Sequence, residues 1–239
     1  MQQKCDGSIV QLFDILFPAL EKETIWCPDN SEIVQDGVAP SNLFEGAKSR
    51  MTKIRNTTHR KRCIRLDFPG HAHELTFSCY KSLPLLSQEV YCKILGVAIE
   101  MARGKHRFDL WAYVFMPEHV HLLIHPRDEI YSISHILQTI KQSTARKAIY
   151  YLRRNDPSGL HLLATGQKYS PYHFWQDGGG YDRNIIATET LILAVNYIHA
   201  NPVRKGLAKS PDDWMWSSAR EWSGGVGPVH IDLQNFPIK

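Results

Sequence analysis

The spacing of apolar positions predicts most of this chain's regular elements. Phe108 to Phe115 is almost continuously apolar, and after Met116-Pro117-Glu118 the run resumes as His119-Val120-His121-Leu122-Leu123-Ile124. Two runs rich in β-branched and aromatic residues that meet at a short polar turn predict an antiparallel hairpin, with strands over 108–115 and 119–125. Side-chain alternation in the second strand sends Val120, Leu122 and Ile124 into a core and puts His119 and His121 together on the other face. Their Cα atoms then lie ~6.5–7 Å apart at ~3.3 Å rise per residue, so two ring nitrogens can converge on one cation. Neutral imidazole is the commonest protein metal ligand.

Around the hairpin, Pro69-Gly70 reads as a turn and Glu74–Tyr80 as a strand. Ser87 is placed to cap a helix running to about Arg103, with Val90, Ile94, Val97, Ala98 and Met101 as its stripe. A second helix is predicted from about Ser134 to Arg154, with Ile133, Ile136, Leu137, Ile140 and Ile149 inward. Residues 156–186 read as irregular, with Pro157, Gly159, Gly166, Pro171 and the run Gly178-Gly179-Gly180. That run lacks the Lys-Ser/Thr that follows a phosphate-binding P-loop, so it is not a nucleotide site by itself. Tyr169, Tyr172, Phe174, Trp175 and Tyr181 crowd around it, most of them as core, with one or two free to stack on unpaired bases. A third helix is predicted from Thr188, as its cap, to about Ala200, on the stripe Leu191, Ala194, Val195 and Ile198. Tyr197 sits beside that stripe, and Asn201 lies four residues further on the same face, although Pro202 disfavours helical geometry at Asn201.

Length and composition fit one soluble domain with extensions: 239 residues, 43% hydrophobic and 22% charged. The net charge of +4 is unevenly spread. Residues 1–45 carry Lys4 and Lys22 against eight acids, whereas Lys48, Arg50, Lys53, Arg55, Arg60, Lys61, Arg62 and Arg65 follow with no acid among them. A basic block of this kind suits either a polyanion or a solvated linker. Lys141, Arg146, Lys147, Arg153 and Arg154 decorate the second helix beside Gln142, Ser143 and Thr144, the mixture that phosphate-contacting helices use. The five Cys are odd in number and widely spaced without a CxxC, which predicts free thiols in a reducing compartment. The stretch Ile9–Leu20 is interrupted by Gln11 and Asp14, so it reads as an amphipathic helix within about 8–22. No membrane span is expected, and the expected location is cytoplasmic.

The pairing of MPEHVHLL with YIHANPV, roughly 75 residues downstream, resembles the tyrosine transposases with a His-hydrophobic-His motif, and among them the branch associated with repetitive extragenic palindromes. FWQDGGGYDRNI before the third helix and Trp214-Met215-Trp216-Ser217-Ser218 after it are similar to segments of that branch. The resemblance covers about 66–222, leaving 1–65 as an extension and 223–239 as a tail. It implies an α+β ferredoxin-like sandwich, an antiparallel sheet with helices packed on one face, whose final strand has to come from 156–186. It further implies His119 and His121 as metal ligands, Tyr197 as nucleophile, and Asn201 where relatives hold a polar third ligand. The implied cofactor is Mg²⁺ or Mn²⁺, and the implied partner is single-stranded or hairpin DNA, cut through a 5′-phosphotyrosine. The basic block and Lys141, Arg146 and Lys147 are the candidate phosphate contacts. From the residues alone, a metallohydrolase and a non-catalytic DNA-binding regulator also stay open, as do the general base and the choice between monomer and homodimer.

Overall fold

A computed structural model describes residues 66–237. The amphipathic helix, the acidic head and the basic block expected before them lie outside the described residues. Four strands, β1 (Ala72–Ser78), β2 (Phe108–Phe115), β3 (His119–Pro126) and β4 (Tyr181–Ile185), form one sheet in the order β2-β3-β1-β4. Every neighbouring pair is antiparallel. Helix α1 (Glu89–His106) joins β1 to β2, and α2 (Ile133–Asn155) lies between β3 and β4. This is the ferredoxin-like arrangement that the resemblance implies.

The hairpin strands start and stop within a residue of their predicted ends, because Pro117 and Glu118 break the alternation. The turn between them is pinned from β1's end: Cys79 N–H donates to Glu118 O at 2.8 Å and Leu86 N–H to Pro117 O at 2.9 Å. Register pairs Thr76 with His121 and His121 with Val114, which puts Thr76, Val114, His119, His121 and Leu123 on one face. Leu75, Phe77, Tyr113, Phe115, Val120, Leu122 and Ile124 turn to the other face and are buried. Both crossover helices belong to that second face. A Cβ at Gly96 of α1 would meet Val229, whose N–H donates to Tyr113 Oη at 3.1 Å. Trp175, edge-on to Phe77, donates through Nε1 to Lys141 O of α2.

Helix α3 (Thr188–Arg204) covers part of the face that carries the imidazoles. Its predicted stripe of Leu191, Ala194, Val195 and Ile198 packs with Val114, Met116 and Leu123 in a second core cluster. Several local readings are corrected. The inward face of α1 is Tyr91, Ile94, Leu95, Ala98, Ile99 and Ala102, not the stripe through Val90, Val97 and Met101. Met101 is exposed. Ser87 and Thr188 do not cap; Gln88 and Ala187 are the N-cap residues, without side-chain bonds, while Ser132 caps α2. β1 ends at Ser78, and Tyr80 begins a short 3₁₀ turn.

β4 emerges from the segment read as irregular, and Gly180 is what permits it. A Cβ there would lie 2.0 Å from Thr76 O, at φ +72°, so only glycine lets the chain approach β1 this closely. The residues after 222, expected as a tail, contribute to the domain instead. Val229, Ile231 and Phe236 are buried, and Asp232 clasps β2, taking the Leu110 N–H on Oδ2 (2.9 Å) and donating its own N–H to Leu110 O (2.8 Å). The outer edge of β2 is closed by 214–218, with Phe115 N–H donating to Trp216 O and Ser218 N–H to Tyr113 O. Among the described residues, no helix is long and apolar enough to cross a membrane.

A paired-histidine candidate active site

His119 and His121 meet across one strand repeat: their Nε2 atoms are 3.0 Å apart and their rings are nearly perpendicular. Each outer nitrogen has its own partner. His119 Nδ1–H donates to Glu118 Oε1 at 3.2 Å, and His121 Nδ1 hydrogen-bonds with Thr76 Oγ1 at 2.8 Å. Partners on Nδ1 fix ring orientation and leave Nε2 to the site, as supporting groups around metal-bound imidazoles do. Burial holds the His121 pKa down at about 4, helped by its His119 neighbour. Burial also lowers His119, with Lys205 adding to the effect and Glu118 opposing it. Both imidazoles are therefore neutral near pH 7, the form that ligates.

These residues fit a divalent cation. Two nitrogens each ~2.1 Å from one ion at a right angle stand ~3.0 Å apart, which matches the observed separation. With a carboxylate on His119 Nδ1, the His119 Nε2 lone pair faces His121 Nε2, and a proton or a cation has to lie between them. Among the described residues, no three His, Cys, Asp or Glu side chains are grouped to hold a metal. Among those residues, any further protein ligand is a donor of another kind.

Tyr197 reaches this pair. Its ring stands edge-on to His121, centroids 5.7 Å apart and planes at 89°, and it is 42% exposed. The helix runs on through Pro202 to Arg204, so Asn201 is helical after all. Pro202 has no N–H to give Ile198 O, and the Asn201 side chain fills the gap, donating from Nδ2 to Tyr197 O (2.9 Å) and Ile198 O (3.4 Å). Asn201 is buried by this arrangement, and its amide oxygen is the atom left to offer a cation. His199 points elsewhere, as expected from its position: it is buried, hydrogen-bonds Ser218 Oγ at 2.8 Å, and burial lowers its pKa to about 4.

Of the other candidates, those that are described do not converge here. Lys48, Arg50, Lys53, Arg55, Arg60, Lys61, Arg62 and Arg65 are outside the described residues. Lys141, Arg146 and Lys147 ride on α2, across the sheet from the imidazoles. Lys141 Nζ donates to Gln176 O and Gly178 O, Lys147 Nζ lies 3.7 Å from Met101 Sδ, and Arg146 is exposed. Four contributors escaped the sequence reading: Thr76, Glu118, Arg204 and Lys205. Arg204 Cζ lies 5.1 Å over the Tyr197 ring. The signal for the last two was available, since Arg204-Lys205 directly follows Asn-Pro-Val, seven and eight residues after Tyr197.

The family model "Transposase IS200 like" matches residues 71–201. No curated protein sequence matches the chain. Among solved structures, a REP-associated tyrosine transposase bound to a REP hairpin is 21% identical, covering 73% of this chain and 94% of that one at a TM-score of 0.53. A putative transposase from Deinococcus radiodurans R1 is 19% identical over 53% of this chain and 87% of its own, at a TM-score of 0.35. The first likeness extends to the fold. The family match spans all four strands, both imidazoles and Tyr197 and ends at Asn201, and by it this chain belongs to the IS200-like transposase family.

Proposed function

We propose that this protein cuts and rejoins single-stranded DNA beside a hairpin, through a covalent bond between Tyr197 and a 5′-phosphate. The observation that carries the reading is the approach of Tyr197, edge-on at 5.7 Å, to a neutral imidazole pair whose Nε2 atoms converge to 3.0 Å. Such a pair suits Mg²⁺ or Mn²⁺, with the Asn201 oxygen as the third protein donor. A divalent cation there supplies Lewis-acid polarisation of a phosphate oxygen and charge neutralisation at the departing oxygen.

The chain's own residues do the rest. Tyr197 Oη attacks phosphorus, the P–O3′ bond breaks, the phenol gives up its proton and the freed 3′ oxygen gains one. Phosphodiester energy is kept in the phosphotyrosine, so attack by another 3′-OH rejoins DNA without ATP. Glu118 and Thr76 hold the imidazoles in position by their Nδ1 atoms. A hairpin is the preferred substrate class because the fold resembles a transposase bound to one. Arg146 on α2 and the basic block before residue 66 are the proposed further phosphate contacts, with Lys141 and Lys147 less free to turn outward.

The test is a labelled single-stranded hairpin incubated with Mn²⁺ or Mg²⁺ and resolved on a denaturing protein gel. Wild type is expected to carry the label, and mass spectrometry to find it on Tyr197. Tyr197→Phe loses one oxygen and is expected to bind DNA but form no adduct. An adduct on another tyrosine, or an enzyme joined to the 3′ side, overturns the reading. No adduct with any hairpin leaves the DNA-binding regulator as the better account.

A further inference from the structure

We infer that Arg204 binds the phosphate that Tyr197 attacks, and that its stacking on the Tyr197 ring is the place it keeps until DNA arrives. This rests on the reading of Tyr197 as nucleophile. Seven residues separate the two, two turns of one helix, so both side chains leave α3 on the same face. The guanidinium carbon lies 5.1 Å from the ring centroid and the side chain is exposed, while the same ring stands perpendicular to His121.

Arg204 differs from the arginines that knit this domain. Arg103, Arg107, Arg127 and Arg183 each pair with a carboxylate. Among the described residues, Arg204 has no such ion pair and lies over an aromatic face, as Arg153 and Arg154 do on α2, but it alone of the three does so at the imidazole pair. A cation held on an exposed ring is held weakly, whereas two parallel N–H bonds to a phosphate are short and charge-assisted. Incoming DNA therefore outcompetes the ring. The planar fork can take both non-bridging oxygens, the atoms whose charge grows as Oη closes on phosphorus and the P–O3′ bond opens. The competing account is purely structural, a cation at a helix C-terminus favoured by the helix dipole.

The experiment first maps the linkage that the wild-type protein cuts in a hairpin with single-stranded flanks, in Mn²⁺. Single-turnover adduct formation at saturating DNA is expected to fall about 100-fold in Arg204→Gln and less in Arg204→Lys, with the thermal midpoint unmoved in both. Binding is then compared for the same oligonucleotide with a phosphodiester or an uncharged methylphosphonate at the mapped linkage. Tyr197→Phe is expected to prefer the diester by about tenfold, and the double variant Tyr197→Phe/Arg204→Gln to lose that preference. Full-rate adduct formation by Arg204→Gln, or a diester preference that survives in the double variant, overturns the assignment while leaving Tyr197 in place. A wild-type protein that forms no adduct on Tyr197 removes the parent reading, and Arg204 with it.

Discussion

On one face of the sheet, Leu75, Phe77, Leu110, Tyr113, Phe115, Val120, Leu122 and Ile124 are each at most 2% exposed. On the other, α3 covers Val114 and Leu123, but His119 and Thr76 are only half-buried, and Tyr197, whose ring meets His121, is 42% exposed. The same strands build both faces, and β3 alone supplies Val120, Leu122 and Ile124 to one and His119 and His121 to the other. The division of labour follows from period-2 alternation: the sealed face fixes the backbone, and the open face inherits that precision. A slip of one residue would exchange the imidazoles for Val120 and Leu122, so the register that buries the core also aims the chemistry.

The largest effect that distinguishes the faces is therefore on stability. Leu122→Ala removes a fully buried side chain and is expected to cost about 2–5 kcal/mol, read from urea unfolding. His119→Ala, three residues away on the open face, is expected to cost under about 1 kcal/mol while abolishing adduct formation. Equal losses in the two variants would break the comparison, because His119 would then be packing like a core residue.

The sealed face was legible because the hairpin strands β2 and β3 spell it out in β-branched, aliphatic and aromatic residues, and the stripe of α3 was legible from its apolar positions at helical spacing. Four things were hidden, each for a physical cause. β4 reads Tyr-Asp-Arg-Asn-Ile, an edge strand mostly open to water, so it carries little apolar signal, and its entry depends on a glycine fitting against Thr76 O. Asn201 was read as an insecure helical position because a following proline disfavours helical geometry, but its own side chain gives Ile198 O the donor that Pro202 lacks. α1 is buried so broadly that two stripes competed, and only packing against the sheet chose Tyr91, Ile94, Leu95 and Ala98. Thr76 and Glu118 were invisible as site residues because their roles depend on cross-strand register and on a turn, neither of which is a motif.

A middle-sized effect separates the faces by pH. His121, at the imidazole pair, and His199, buried on α3 against Ser218, both have pKa values lowered to about 4 from an ordinary 6.5. Above 6.5 both are neutral whether the chain is folded or not, and their full contribution to stability is present. As pH falls toward 4 the unfolded chain takes up protons that the folded one refuses, so stability is lost across that window. The slope is about 1.4 kcal/mol per pH unit for each such group at most. Urea midpoints of metal-free protein between pH 7 and pH 4.5 test this. His121→Asn and His199→Asn should each flatten the fall by about one proton; an unchanged slope in both would mean that neither imidazole is kept neutral by the fold.

The smallest effect on stability is also the sharpest test of how the two faces communicate. Thr76 neighbours Leu75 and Phe77 of the sealed face, yet its hydroxyl turns to His121 Nδ1 at 2.8 Å on the open one. A hydroxyl can donate or accept. When His121 Nε2–H donates to His119, the Thr76 hydroxyl donates a hydrogen bond to Nδ1; were a cation to occupy both Nε2 atoms, Nδ1–H would donate and the hydroxyl oxygen would accept. One residue thus serves both tautomers. Thr76→Val keeps shape and strand preference and removes only that service, so unfolding should change by about 1 kcal/mol or less. Mn²⁺ affinity, measured by titration calorimetry without DNA, should fall about 10- to 100-fold, while Thr76→Ser restores it. Undiminished Mn²⁺ binding by Thr76→Val would show that the imidazole pair needs no support from β1, and a loss that serine does not rescue would assign the effect to packing rather than to the hydroxyl.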